Sequence, residues 1–276
     1  MDLDVYKLRE DFKEPHYLLT TSDGKVLFIR EWKPPKASKV AILFFHGITA
    51  YSGAYDNMMA TPLAKAGYSI FGLDLRGHGL SDGNRGDCPS KDRLIKDLCE
   101  TIDFIKKKCE KLIILGHSLG VVSAIIATNH CLDKINGLIL LSAGRTTRPG
   151  VYKKPSFGQT MKILFSGVFK PSKPVIKYYR DGMTGLDDPL RTFQYTFRFI
   201  RILSPKALVF PEKLDIPVIV GVGDQDELFD IESPRALFDE IPSNNKSFIV
   251  IKGAKHAEFP GASWGELLNW LKSNFK

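Results

Sequence analysis

The sequence predicts an α/β protein in which helices cover both faces of a mostly parallel central sheet and one segment is inserted as a cap. Three observations support this fold class. Short apolar runs without polar alternation recur along the chain, as is typical of strands buried on both faces. Stretches with apolar residues at helical spacing separate these runs. The chain has 276 residues, of which 43% are hydrophobic, and this suits one large domain with a substantial core.

The strands are predicted from the apolar runs and the turn signals between them. The chain opens with a hairpin, because Ser22-Asp23-Gly24 separates the short segments Tyr17–Thr20 and Val26–Glu31. After Pro34 and Pro35, six runs predict buried strands: Val40–Phe45, Tyr68–Leu73, Leu112–Leu115, Leu138–Leu141, Val218–Val222 and Phe248–Ile251. Helices are predicted between them at Tyr55–Ala66, Lys91–Lys108, Leu119–Asn129, Pro234–Glu240 and Trp264–Leu271.

The strand and helix alternation is interrupted once, from about Arg145 to Pro211. Prolines punctuate this segment, and it follows a strand whose carboxyl end lies where open α/β sheets bind ligands. We therefore predict a core of residues 1–144 and 212–276 and a cap of residues 145–211 over the active site.

The net charge of +8 is concentrated in this cap. Between Arg145 and Lys206 there are 13 Lys and Arg residues against three acidic ones, together with ten of the thirty aromatic residues of the chain. The sequence contains no zinc-finger, helix-turn-helix or aromatic RNA-binding signature, so a nucleic-acid partner is not predicted.

The remaining composition indicates a cytoplasmic protein. The first residues, Met1 to Asp4, are acidic and have no apolar signal region, and the longest apolar runs are too short to span a bilayer. The four cysteines contain no Cys-x-x-Cys pair and have no histidine at metal-ligand spacing. We expect reduced thiols and no metal site.

A nucleophile is predicted where an apolar run ends at Gly116-x-Ser118-x-Gly120 and a helix-compatible stretch follows. A serine in such a strand-to-helix turn has φ near the left-handed region, and its neighbours two positions away must lack bulk. Gly116 and Gly120 meet that requirement. This pattern is the nucleophile elbow of an α/β-hydrolase, with Ser118 as the nucleophile.

A serine nucleophile needs a base and a carboxylate that orients the base, and in this fold the chain order is Ser, acid, His. His256 follows the apolar run Phe248–Ile251 and is the predicted base. Asp226 is the predicted acid, since it stands three residues after Gly223, and Asp224 is the competitor.

Acyl transfer to a serine passes through a tetrahedral intermediate, and its oxyanion needs hydrogen bonds from backbone N–H groups. We predict the amide of Leu119, directly after the nucleophile, and the amide of Ile48, which follows the first buried strand. Gly47 allows the backbone to approach closely.

Several further motifs support a resemblance to a known family. They are His46-Gly47, Ser52-Gly53-x-Tyr55, Leu73-Asp74-x-Arg76-Gly77-His78-Gly79-x-Ser81-x-Gly83, Arg85-Gly86, Gly116-His117-Ser118-Leu119-Gly120, the acid loop at Asp226, Gly253-Ala254-x-His256 and, in the cap, Asp188-Pro189-Leu190. On these residues the chain resembles the monoacylglycerol lipase and lysophospholipase family of serine α/β-hydrolases. The resemblance implies the roles given above for Ser118, Asp226, His256 and the amides of Ile48 and Leu119. It also implies that Asp74, Arg76 and His78 brace their loop.

The chain departs from that family at two places. Ala50-Tyr51 stands where the family often has Glu-His, and Val121 stands where it often has a second glycine after the elbow. We expect both departures to lie near the acyl or alcohol pocket.

The expected function is hydrolysis of single-chain lipid esters, either monoacylglycerol or lysophospholipid, without a cofactor. The cap is expected to form an apolar tunnel for the acyl chain. Its basic outer face is expected to contact an anionic membrane transiently, through Lys153, Lys154, Lys162, Lys170, Lys173 and Lys177. An ordinary solvated face and a selector of substrate charge are the alternatives for these lysines. A general short-acyl carboxylesterase and a non-catalytic ligand-binding module of the same fold are the alternatives for the function.

Overall fold

The computed structural model describes residues 4–152, 155–180, 183 and 185–275. Within these residues the chain forms ten strands: β1 (His16–Thr20), β2 (Val26–Trp32), β3 (Val40–Phe45), β4 (Ser69–Leu73), β5 (Lys111–His117), β6 (Gly137–Leu141), β7 (Ile176–Lys177), β8 (Gln194–Tyr195), β9 (Val218–Gly223) and β10 (Lys246–Ile251). The same part of the chain forms eight α-helices: α1 (Val5–Asp11), α2 (Thr61–Lys65), α3 (Lys91–Lys106), α4 (Gly120–Cys131), α5 (Phe157–Phe169), α6 (Phe197–Ile202), α7 (Glu232–Asp239) and α8 (Gly265–Phe275).

Eight of the strands form one sheet in the order β1-β2-β4-β3-β5-β6-β9-β10. β2 pairs antiparallel with β1 and with β4, whereas the other neighbours in the sheet are parallel. All eight strands predicted from the sequence lie in this sheet. The predicted α/β class with a mostly parallel sheet is therefore confirmed.

β5 explains why continuous apolar runs predict these strands. Leu112 and Ile114 pack in the core layer formed with α3 and α4, while Ile113 and Leu115 pack in the layer formed with α2 and α8. All four side chains are fully buried. Because both faces of the strand are covered, no position is left for the polar residues that alternate along a half-exposed strand.

The parallel strands place four loops at one edge of the sheet. The carboxyl ends of β3, β5, β9 and β10 lead into residues 46–51, Ser118, residues 224–230 and residues 252–258. This edge is where open α/β sheets bind ligands.

The short helix α1 was not predicted from the sequence. Asp4 caps it by accepting a hydrogen bond from the Lys7 amide at 3.1 Å. Its single buried residue is Arg9, which pairs with Asp82 at 2.6 Å. A helix that is held by a charged side chain shows no apolar periodicity, and pattern analysis therefore misses it.

The segment between β6 and β9 contains α5, the two-stranded pair β7-β8 and α6. It is fixed to the loop before α3, because the Thr196 amide donates to the Gly86 carbonyl at 3.0 Å and the Thr196 hydroxyl donates to Asp87 at 2.8 Å. Arg198 forms an ion pair with the same Asp87 carboxylate. The division into a core and a cap of residues 145–211 stays a prediction, and Lys153 and Lys154 lie outside the described residues.

Two cysteines that are distant in sequence meet in the fold. Cys99 on α3 and Cys131 at the end of α4 form a disulfide with a Cα–Cα distance of 6.3 Å, while Cys88 and Cys109 are free. This differs from the expectation that all four thiols are reduced. The spacing of cysteines along the chain does not show that α3 and α4 are packed neighbours, and the pairing was therefore not expected.

Candidate active site

Ser118 lies in a sharp turn between the end of β5 and the start of α4, with a φ of 55°. The residues two positions before and after Ser118 are glycines because a side chain at either position would clash with backbone atoms. A Cβ atom on Gly120 would lie 2.0 Å from the Phe45 carbonyl oxygen, and one on Gly116 would lie 2.6 Å from the Gly120 carbonyl oxygen. The turn therefore has the strained geometry that the Gly-x-Ser-x-Gly pattern predicts.

The structure brings Ser118, His256 and Asp226 together. His256 Nε2 lies 3.0 Å from Ser118 Oγ, and His256 Nδ1 lies 3.1 Å from Asp226 Oδ2. A carboxylate accepts hydrogen bonds, so Nδ1 carries the proton and Nε2 is free to accept the proton of the serine hydroxyl. His256 is 6% exposed and Asp226 is 1% exposed.

The Asp226 carboxylate is held on both oxygens. While Oδ2 faces His256, Oδ1 accepts hydrogen bonds from the amides of Leu228 at 2.8 Å and Phe229 at 3.0 Å. Burial acts to raise the pKa of Asp226, but the hydrogen bond and charge of His256 and the two amides outweigh burial and lower the pKa below its usual value. Asp226 is therefore ionised at neutral pH.

The competing carboxylate does not reach the histidine ring. Asp224 is exposed, and its Oδ1 accepts a hydrogen bond from the Gly253 amide at 2.7 Å. Glu227 accepts the backbone amide of His256 at 3.0 Å. Asp224 and Glu227 thus fix the loop that carries His256, whereas Asp226 contacts its ring.

The amide of Ile48 stands between two amides that are already bonded. The Gly47 amide donates to the Tyr55 hydroxyl and the Thr49 amide donates to the Tyr195 hydroxyl, each at 2.7 Å. Within the described part of the chain, the Ile48 amide donates to no acceptor, and Ile48 lines the cavity beside Ser118. It is therefore available to a ligand oxygen.

Leu119, the second predicted oxyanion donor, directly follows Ser118 and precedes the first residue of α4. Its amide likewise donates to no acceptor among the described residues. Because Leu119 lies at the start of α4, the positive end of the helix dipole would also favour an anion bound at this amide.

Tyr55 and His117 form a relay that connects three of the loops. Because His117 Nε2 lies 2.7 Å from the carbonyl oxygen of His256, which can only accept, Nε2 carries the proton. His117 Nδ1 then accepts the Tyr55 hydroxyl proton at 2.8 Å. Burial, reinforced by the nearby His256, lowers the pKa of His117 to about 3, and the ring is neutral at physiological pH. The relay joins the Ile48 loop, the elbow and the His256 loop through neutral groups.

Tyr195 connects the inserted segment to the same loop. It is fully buried on β8, and its hydroxyl donates to the Thr192 carbonyl at 2.6 Å while it accepts from the Thr49 amide. Thr49 has a φ of 64°, a left-handed conformation that is unfavourable for a β-branched residue. The phenol is therefore one of the contacts that hold the strained loop in place.

A cavity of about 240 Å³ opens beside Ser118 and His256. Its described lining includes the apolar side chains of Ala50, Ala54, Met58 and Leu228 and the guanidinium groups of Arg180 and Arg191. A larger groove of about 1060 Å³ lies between α5 and residues 175–180, and Tyr178, Arg180 and Leu228 line both spaces. The groove extends the cavity along the inserted segment.

The two departures from the resembled family lie in different environments. Ala50 lines the cavity, as expected, whereas Tyr51 is not among the described lining residues and donates its hydroxyl to Asp188 at 3.0 Å. Val121 is fully buried in the core layer with α3 and α4 and is not among the described residues that line the cavity or the groove. The expectation that Val121 lies near the pocket is wrong, because its side chain packs in the core against the sheet and not at the edge that carries the loops.

Asp74, Arg76 and His78 brace loops. Asp74 accepts hydrogen bonds from the amides of Ser52 at 2.6 Å and Leu80 at 2.8 Å, and Arg76 forms an ion pair with Asp97 at 2.7 Å. The His78 ring stacks on Tyr195, with centroids 5.9 Å apart.

The chain is similar in sequence and in fold to known proteins. A model of the protein family described as "Serine aminopeptidase, S33" matches residues 36–259. The monoglyceride lipase of Rattus norvegicus is 26% identical over 260 residues, which cover 88% of this chain and 82% of that protein. The crystal structure of Paleococcus ferrophilus monoacylglycerol lipase is similar with a TM-score of 0.68 at 26% identity, covering 90% of this chain and 99% of that one.

A soluble variant of monoglyceride lipase from Saccharomyces cerevisiae, in complex with a substrate analog, has a TM-score of 0.76 at 20% identity and covers 95% of this chain and 94% of that one. These similarities confirm the α/β-hydrolase fold and the resemblance to the monoacylglycerol lipase family.

Proposed function

The chain belongs to the serine aminopeptidase S33 family and is a serine hydrolase, and from that premise we propose that it cleaves the carboxylic esters of single-chain lipids. The observation that carries the proposal is the set of contacts from Asp226 through His256 to Ser118, with distances of 3.1 and 3.0 Å, beside a cavity that shares lining residues with a larger groove. The monoglyceride lipases of Rattus norvegicus and Homo sapiens are similar to the chain over 88% of its length.

The proposed reaction uses groups at these contacts. His256 Nε2 takes the hydroxyl proton as Ser118 Oγ attacks the ester carbonyl, and the amides of Ile48 and Leu119 donate to the resulting oxyanion. The C–O bond to the alcohol then breaks, and His256 returns the proton to the leaving oxygen. Water attacks the acyl-enzyme with His256 as the base, which releases the fatty acid and restores the serine.

The cavity favours an ester over a peptide with a free amino terminus. An aminopeptidase must bind the α-ammonium group of its substrate, and a carboxylate is the side chain suited to that task. The described residues that line the cavity include no carboxylate and two arginines. A cationic substrate terminus would be repelled there.

The groove supports a lipid acyl chain as the substrate's apolar part. It is lined by the hydrophobic side chains of Val151, Ile163, Val175, Ile176 and Leu228 among other residues. Since each buried CH₂ contributes about 0.8 kcal/mol, a groove that accommodates many methylenes favours long chains.

We expect kcat/KM on monoacylglycerols to rise at least about tenfold from acetyl to medium-length acyl chains, measured below the critical micelle concentration. Ile163→Trp, which fills the groove, should reduce activity on long chains and leave acetyl ester hydrolysis unchanged. Val168→Trp is the matched control, because Val168 lies on the same helix and is 72% exposed. Highest activity on acetyl esters, with no effect of Ile163→Trp, would instead indicate a short-acyl carboxylesterase.

The helix α5 also presents an apolar face to solvent. Its large exposed side chains are Phe157, Met161, Leu164, Phe165, Val168 and Phe169. The lysines Lys162, Lys170, Lys173 and Lys177 on and after this helix are exposed as well. Among the described residues, no helix is long and apolar enough to cross a membrane. Exposed aromatic side chains next to lysines suit a lipid surface with anionic headgroups, and we propose that this face contacts one transiently.

Replacing Lys162, Lys170 and Lys173 by Gln is expected to weaken binding to anionic vesicles, by at most about 1 kcal/mol per lysine. Activity on a soluble acetyl ester should not change. The control replaces the exposed lysines Lys91, Lys96 and Lys272, which lie on α3 and α8, and should leave vesicle binding intact. Binding should weaken as salt rises, because the Debye length is about 8 Å at physiological ionic strength. Equal binding of the wild type to anionic and neutral vesicles at low salt would contradict the membrane contact.

A further inference from the structure

The cavity beside Ser118 has a positively charged wall. Of the described residues that line it, Arg180 and Arg191 carry full charges, and none is acidic. Both come from the inserted segment, one after β7 and the other after Asp188-Pro189-Leu190. Charges on the wall of a narrow cavity act strongly on a bound substrate, because low-dielectric walls concentrate their field.

The two arginines differ in how they are paired. Arg180 Nη2 donates to Glu227 Oε1 at 3.0 Å, and this carboxylate offsets its charge. The guanidinium of Arg191 donates no hydrogen bond to any residue in the described part of the chain. Its Nε forms a longer ion pair with Asp188 Oδ2 at 3.9 Å, which is beyond hydrogen-bonding distance. That oxygen accepts the Tyr51 hydroxyl at 3.0 Å.

Arg191 is nonetheless largely removed from water. Its side chain is 20% exposed, and its Nε is fully buried without an acceptor among the described residues. A guanidinium has five N–H donors in a rigid planar fork, and leaving such donors without partners is costly. A ligand in the cavity can supply the missing acceptors.

The position of Arg191 is close to the loop that carries the Ile48 amide. Burial raises the pKa of Tyr55 and of Tyr195, and the charge of Arg191 opposes that rise at both phenols. These phenols hold the amides on either side of Ile48. Arg191, Ile48 and Ser118 line the same cavity, so Arg191 is near the point where the ester carbonyl would bind.

Part of the wall offers little to a neutral polar headgroup. Ala50, Ala54 and Met58 line the same cavity and have no side-chain hydrogen-bonding group of ordinary strength. The hydroxyls of a glycerol headgroup would find no side-chain partners on these three residues, whereas an anion would find the guanidinium of Arg191, whose Nε has no hydrogen-bond acceptor among the described residues.

We propose that Arg191 binds an anionic group, a phosphate or a carboxylate, in the alcohol part of the ester. The enzyme then prefers anionic single-chain esters to neutral monoacylglycerols. The inference rests on the proposed function, because the ester carbonyl must reach Ser118 in the same cavity. Guanidinium groups bind both anions with two parallel hydrogen bonds, which fixes the ester as well as attracting it.

The test uses three butanoyl esters with the same acyl group: butanoylglycerol, butanoylglycerol phosphate and butanoylglycerate. We expect wild-type kcat/KM to be about ten- to a hundredfold higher for at least one anionic ester than for the neutral one. Arg191→Gln should remove this preference, so that the ratio of kcat/KM for the anionic ester to kcat/KM for the neutral ester falls to about one. Arg191→Lys should keep part of it, because it retains the charge but loses the fork. Arg201→Gln, an exposed arginine on α6, is the control and should match wild type.

The phosphate and carboxylate esters separate the two possible anions. The inference is overturned if wild type cleaves the neutral ester as well as both anionic ones, or if Arg191→Gln lowers all three rates equally while its melting temperature shows a folded protein. No wild-type turnover of any of the three esters would overturn the proposed function as well as the role of Arg191. Turnover of the neutral ester with no anionic preference would overturn the inference but leave the proposed function standing.

Discussion

Ser118→Ala is expected to lower kcat on every ester by about 10⁴-fold or more, since without the hydroxyl no acyl-enzyme forms. Steady-state hydrolysis of butanoylglycerol, with purified variant and wild type side by side, measures this. The fold should be unchanged, because a φ of 55° at this position is about equally unfavourable for alanine and for serine.

A second variant at the same position guards against misfolding as the cause. Ser118→Gly removes the backbone strain as well as the hydroxyl and should be at least as stable as wild type in thermal unfolding, yet equally inactive. If either variant retained a tenth of wild-type kcat, with contaminating esterase excluded, Ser118 would not be the nucleophile.

Asp226→Asn is expected to lower kcat by about 10³- to 10⁴-fold, because an amide in place of the carboxylate favours the wrong tautomer of His256. The substitution also removes the negative charge that stabilises the imidazolium formed during the reaction. Asp224→Asn is the matched control: it changes the same functional group two residues away, on a carboxylate that accepts the Gly253 amide and not the His256 ring.

Asp224→Asn should keep kcat within about tenfold of wild type, with any loss coming from a looser His256 loop. The comparison is made at several pH values, since a misplaced tautomer changes kcat at every pH at which wild type is active. A larger loss for Asp224→Asn than for Asp226→Asn would assign the acid to Asp224.

The parts of the site that sequence could predict are those with a local steric or chemical requirement. Gly116 and Gly120 are needed because a Cβ at either position would clash with backbone atoms. This requirement is visible in the sequence as the five-residue pattern Gly-x-Ser-x-Gly. The strand before Asp226 is buried on both faces, whereas the strand before His256 is an edge strand with Val250 exposed, and in both cases an apolar run locates the loop that follows. The spacing from Gly223 then favours Asp226, the carboxylate that contacts His256 in the structure.

The contacts that sequence could not predict join segments that are far apart in the chain. Tyr195 and Thr49 are 146 residues apart, and nothing near either residue indicates that a phenol supports the Ile48 loop. Tyr55 belongs to the motif Ser52-Gly53-x-Tyr55, but its hydrogen bonds with the Gly47 amide and with His117 depend on the pairing of β3 with β5. In the sequence, Arg191 is one of 13 Lys and Arg residues between Arg145 and Lys206, and its place in the cavity follows only from the folding of the inserted segment.

Covalent labelling tests the central claim most directly, because it asks which atom is the nucleophile. Intact-mass measurement after treatment with a fluorophosphonate should show one adduct per chain, formed with loss of fluoride, and peptide mapping should place it on Ser118. Ser118→Ala should remain unlabelled, and prior incubation with butanoylglycerol should slow labelling of the wild type. An adduct on any other residue, or no adduct on a folded protein that hydrolyses esters, would contradict the serine mechanism proposed for this chain.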